Sequence, residues 1–76
     1  MASAKKYMLK CKIETYLRKA KAYQNKALYK KKGKKALELA KLSFEEYKKV
    51  ANETDYLIIK SIEEDIKTLE AYYEEH

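Results

Sequence analysis

The sequence predicts an all-α fold, an up-down-up antiparallel three-helix bundle with a long first helix. Three observations lead there. The chain of 76 residues has no Pro and one Gly, and its bulk of Ala, Leu, Lys, Glu, Ile and Tyr leaves little that breaks a helix. Apolar residues recur at spacings of three and four in three separate runs, each a stripe down one helix face. The polar clusters between the runs are short, and short connections turn consecutive helices antiparallel.

The first stripe is Leu9, Ile13, Tyr16, Ala20, Tyr23 and Ala27. Nothing interrupts it before Lys30-Lys31-Lys32-Gly33, where Gly33 suits a left-handed helix terminus and the cations suit the negative end of the dipole. A helix over about residues 4–31 follows. The second stripe, Leu37, Ala40, Phe44, Tyr47 and Ala51, predicts a helix over 35–52 that stops at Asn52-Glu53-Thr54-Asp55. The third, Ile59, Ile62, Ile66, Leu69 and Tyr73, predicts a helix over 55–74 capped by Thr54 or Asp55. At about 1.5 Å per residue the first helix outruns the others by two turns. Tyr7, Met8, Leu9 and Cys11 lie on this overhang, the place where a weak dimer of an otherwise monomeric protein would form.

Charge is sorted along the chain. Residues 1–35 carry 13 Lys/Arg against one acid, whereas residues 53–76 carry 2 against 8, within a net charge of +6. Lys5, Lys12, Lys19 and Lys26 flank the first stripe on one side; Glu63 and Glu70 flank the third. Parallel neighbours pair such flanks, so the first and third helices are expected to zip lysine against glutamate. The second helix would then meet the third through Ala36, Ser43 and Val50 against Ile58, Asp65 and Tyr72, and the first helix through Leu17 and Gln24 against Lys41 and Lys48.

Several function classes find no support. A single cysteine, Cys11, allows no intrachain disulfide and points to a reducing, cytoplasmic setting. No apolar run is long enough for a membrane span, and the N-terminus does not read as a signal peptide. The one histidine, His76, ends the chain, and no nucleophile–base spacing surrounds it. The carboxylates Glu45-Glu46 and Glu63-Glu64-Asp65 lack the Glu-x-x-His pairs of metal-binding bundles, and Lys30–Lys35 is no phosphate loop. Neither an enzyme nor a metal or cofactor is expected. Abundant Lys and Glu with three amide side chains resembles thermophile usage.

Two binding readings remain. In the first, Ala36, Ala40 and Ser43 leave a depression between the second and third helices. Leu69 and Tyr72 line it, and Glu64 and Asp65 anchor a basic residue of a bound peptide or protein tail. In the second, Lys12, Arg18, Lys19 and Lys26 with Lys30, Lys31, Lys32, Lys34 and Lys35 form a basic stripe for non-specific nucleic-acid binding. Its cations are almost all Lys, and no helix-turn-helix signature accompanies them.

The segment Ala20-Lys21-Ala22-Tyr23, the Gly33 turn, the run Ala36-Leu37-Glu38-Leu39-Ala40-Lys41-Leu42-Ser43-Phe44-Glu45-Glu46-Tyr47 and the helix Ile62–Tyr73 together resemble an MIT (microtubule-interacting and trafficking) domain over about residues 9–73. That resemblance implies an up-down-up bundle. It further implies a protein-interaction module that captures short tails of membrane-remodelling filament subunits in an inter-helix groove.

Overall fold

The structure, a computed structural model, describes residues 2–75 and the side chains of residues 4–74. Three helices of nearly equal length run up, down and up: α1 (Ala2–Ala22), α2 (Lys30–Val50) and α3 (Tyr56–Glu75). Single 3₁₀ turns at Ala27–Tyr29 and Glu53–Asp55 feed α2 and α3. They form a slim bundle of 40 × 19 × 15 Å. The core consists largely of the predicted stripes: Leu9, Ile13 and Ala20 from α1, Leu37, Ala40, Phe44 and Tyr47 from α2, and Ile62, Ile66, Leu69 and Tyr73 from α3 are buried.

The first helix is shorter than its periodicity predicts, and Gly33 does not end it. α1 stops at Ala22, and Gly33 lies inside α2 with no left-handed backbone. The stop is made from outside the helix. Gln24 N–H donates to the Lys21 carbonyl rather than to Ala20, which leaves the Ala20 oxygen without a helical donor. The Tyr73 hydroxyl of α3 donates to that oxygen at 2.6 Å, and the neighbouring Tyr72 hydroxyl donates to the Gln24 carbonyl. One orphan carbonyl of the helix end and one of the turn after it are thus closed by adjacent phenols. Stacking of Tyr23 on Tyr29, centroids 5.2 Å apart, packs the turn that follows.

Gly33 is required by the same device. A Cβ at Gly33 would lie 2.9 Å from Tyr73 Cε1 and 2.6 Å from Cζ, and would collide outright with the hydroxyl. Only a residue without a side chain lets the Tyr73 ring cross the α2 backbone and reach α1. α1 spans 21 residues, as α2 does, so among the described residues it lacks the two extra turns expected to support a dimer.

At the opposite end Asn52, rather than Thr54 or Asp55, is the cap. Its side chain accepts from Thr54 N–H at 3.1 Å while the Asp55 carboxylate accepts from Asn52 N–H at 3.0 Å, a reciprocal capping box. Asp55 is 6% exposed and also takes the Lys6 ammonium of α1 at 2.9 Å. These contacts, the Asn52 amide first and Lys6 next, hold the Asp55 carboxyl below the usual carboxylate range. The buried Tyr47 of α2 is held above the usual phenol range, first by burial and then by the Asp55 charge and hydrogen bond. One tyrosine at each end therefore ties all three helices together.

The order of the helices around the axis is the mirror of the expected one. The Leu17 edge of α1 faces the Ile58–Asp65–Tyr72 edge of α3: Lys21 pairs with Asp65 at 3.4 Å, and Tyr72 reaches Gln24. The Glu63–Glu70 edge of α3 faces α2 instead, where Glu70 pairs with Lys41 at 2.9 Å. Lys12 and Lys19 are exposed and, among the described residues, meet no carboxylate. The lysine–glutamate zipper between the first and third helices does not form. Charge alone does not separate the two hands, because Lys41 and Lys48 of α2 match Glu70 and Glu63 as well as the lysines of α1 would. Packing decides: α1 lies much closer to α2 than to α3, with Ala20, Ala36 and Ala40 all buried. Small side chains allow that approach; an exposed ion pair, at about 0.2–1 kcal/mol, has little weight against it.

Candidate functional site

The mirror arrangement closes the groove expected between the second and third helices. Ala36, Ala40 and Ser43 are buried, as is Leu69, so no peptide side chain reaches them. What remains of the α2–α3 border is two shallow furrows, one of about 200 Å³ crossed by charged side chains of Lys41, Lys48, Glu63 and Glu70 and one of about 170 Å³ edged by Lys34, Glu38 and Glu74. Asp65 and Tyr72 face α1, and Glu64 is exposed with its carbonyl taken by Thr68. The residues chosen for peptide binding are therefore not brought together.

The space lies instead between α1 and α3, parallel neighbours that touch least. An open cleft of about 500 Å³ runs there. Its floor is Leu17 and Ile62, both buried, with half-buried Ile58 beside them. Leu57, 75% exposed, forms one lip where the periodicity of α3 places an apolar residue off the core stripe. The α1 rim carries Lys10, Glu14, Arg18 and Lys21; the α3 rim carries Ser61 and Asp65. Lys21–Asp65 bridges the rims toward one end, and Lys10 lies 3.9 Å from Glu14 one turn along the same helix. Arg18 meets no carboxylate among the described residues, so its guanidinium is a free cation above an apolar floor.

The sequence signal for this cleft was the pair Leu57-Ile58, two apolar residues just before the third stripe at Ile59. A lone stripe predicts one buried face; the widened apolar face of α3 is what a second occupant would cover. Another apolar surface, Tyr7, Met8, Cys11, Thr15 and Tyr16 between Lys12 and Lys19, lies on α1 alone. It has no second wall and no buried floor.

The basic stripe expected for nucleic acid is divided among three places. Lys12 and Lys19 sit on the outer face of α1, Arg18 on the cleft rim, and Lys26 and Lys30–Lys35 at the α1–α2 end of the bundle. Among the described residues no three His, Cys, Asp or Glu side chains gather as a metal would require, and His76 lies outside those residues. Comparison with known proteins returns no match to a family model, a curated protein or a solved structure.

Proposed function

We propose that the protein is an interaction module that holds a short, acidic, amphipathic segment of a partner protein in the α1–α3 cleft. The observation that carries this reading is an apolar floor left open between two helices, with exposed Leu57 on one lip and the unpaired Arg18 on the other. Apolar anchors of the partner would cover Leu17, Ile58 and Leu57, and a carboxylate would take the guanidinium in a bidentate pair. The likeness of the helices to an MIT domain supports the same class of function, with the groove moved to the other side of α3. A single cysteine and a net charge of +6 suit an acidic partner in the cytoplasm.

The cleft from Lys10 to Lys21 is about 17 Å long, at 1.5 Å per residue, which matches a probe peptide of roughly 12 helical residues. A labelled peptide with leucines at helical spacing and glutamates between them should bind, measured by fluorescence anisotropy. Its lysine counterpart should bind at least about tenfold more weakly, a difference of about 1.4 kcal/mol. Arg18→Glu should reverse the preference, and Leu57→Asp should abolish binding of both peptides with helicity unchanged, since both positions are exposed. Equal binding of the two peptides, or binding indifferent to Leu57→Asp, would reject the cleft as the working surface.

A further inference from the structure

Two independent features meet at the α1–α2 end of the bundle, beyond the Lys21 end of the cleft. The first is charge. Lys26, Lys30, Lys31, Lys32, Lys34 and Lys35 crowd the 3₁₀ turn and the first turns of α2, and among the described residues none of the six is in an ion pair. Cations in the first turn of a helix oppose its dipole, so this cluster works against α2 rather than for it. The second is Leu28, which is 95% exposed in the turn at the apex. It contributes nothing to the core. Beside it Tyr29 is held by stacking on Tyr23 and by the Lys32 ammonium 5.1 Å above its ring. The apex is thus a supported platform that presents one exposed leucine in a lysine-rich turn.

We propose that this tip docks the protein onto an anionic lipid surface. Leu28 enters the boundary between headgroups and acyl chains, and the lysines meet the acidic headgroups. The pairing of an apolar wedge with cations is what separates this ligand from nucleic acid. A phosphodiester backbone rewards the lysines but gives an unstacked leucine nothing, whereas a membrane interface rewards both. No described helix is long and apolar enough to cross a membrane, so the contact is peripheral. The tip is separate from the floor of the cleft, and the proposal stands whether or not the cleft binds a peptide.

The test uses the full chain and two sets of vesicles, phosphatidylcholine alone and phosphatidylcholine with about a third phosphatidylserine. Co-sedimentation should be confined to the anionic set. Lys31→Ala with Lys32→Ala should weaken it roughly 25-fold, at about fivefold for each lysine near such a surface. Leu28→Ser should weaken it about tenfold, the share expected from partly burying one leucine. The chain contains no Trp, so Leu28→Trp reports depth directly. Its emission should shift to the blue on anionic vesicles and be quenched by brominated lipid. No sedimentation, sedimentation unaffected by Leu28→Ser, or emission that stays red would each overturn the proposal. Tight binding of a mixed-sequence DNA duplex without Leu28-dependent vesicle binding would overturn it in favour of nucleic acid.

Discussion

Gly33→Ala is expected to lower the melting temperature of this protein by roughly 2–28 °C, at about 4–8 °C per kcal/mol for a domain of this size. In an exposed helix the same change would stabilise by about 1 kcal/mol. Here the new methyl would collide with the hydroxyl end of Tyr73, 2.6 Å from its Cζ, and the ring has no room to swing, because its hydroxyl is bonded to Ala20 and Tyr72 packs edge-on at 5.1 Å. Overpacking costs about 1–3 kcal/mol, and losing the buried phenol–carbonyl bond adds about 0.5–1.5 kcal/mol. After the helix gain is subtracted the net loss is about 0.5–3.5 kcal/mol. The cause is separable by a double-mutant cycle. Tyr73→Leu removes the colliding atoms, and in that background Gly33→Ala should become neutral or stabilising, with a coupling of about 2–3 kcal/mol. Thermal denaturation of the four chains measures it, and a rise in melting temperature for Gly33→Ala alone would exclude the contact.

Tyr47→Ala acts at the other end and should cost more, about 3–5 kcal/mol by comparison with other aromatic truncations in cores. Tyr47 is among the largest fully buried side chains. A domain of this length has about 4–11 kcal/mol of total stability, so the variant should lose a quarter of it or more, read by circular dichroism as a fall of roughly 12–40 °C in melting temperature. Tyr47→Phe keeps the ring and isolates the hydroxyl. The same cluster sets the pH window. Asp55 has a depressed carboxyl pKa in the fold, so its stabilisation is complete above the ordinary value near 3.9 and is lost as pH falls through the lower, folded value. Tyr47 and Tyr73 have raised phenol pKa values, so their share is complete below about 10 and is lost as pH rises further. Asp55→Asn should flatten the acid limb and Tyr47→Phe part of the alkaline one.

The three apolar stripes were legible because a helix that buries one face must repeat every three and four residues, and nearly every stripe residue from Leu9 to Tyr73 is buried or half-buried. Ala27 is the exception, exposed because α1 has already ended. That end was not legible. Gly33 resembles a terminator in sequence, yet its role is set by a ring forty residues downstream, and no local signal says that Tyr72 and Tyr73 will close the carbonyls of Ala20 and Gln24. The hand of the bundle was hidden for a different reason. Both α1 and α2 present lysines to the glutamates of α3, so the ion-pair argument had two solutions, and the choice fell to the close packing of Ala20, Ala36 and Ala40. The α1–α3 cleft follows from that choice, which is why Ala36, Ala40, Ser43 and Leu69 of the expected groove are buried, Asp65 lies on the rim of the open cleft instead, and Leu17, Arg18, Leu57 and Ile58, of which only Arg18 is read from the sequence as a binding residue, there for nucleic acid, line it.

The neighbours of Ile58 test this account most directly, through side-chain nuclear Overhauser contacts in solution. Contacts from Ile58 and Ile62 to Leu17 of α1, together with contacts between the Lys41 and Glu70 side chains, are the expected result. Contacts from Ile58 to Ser43 and Val50 of α2, with Lys12 and Lys19 against Glu63 and Glu70, would contradict it by placing α3 on the other side and removing the cleft.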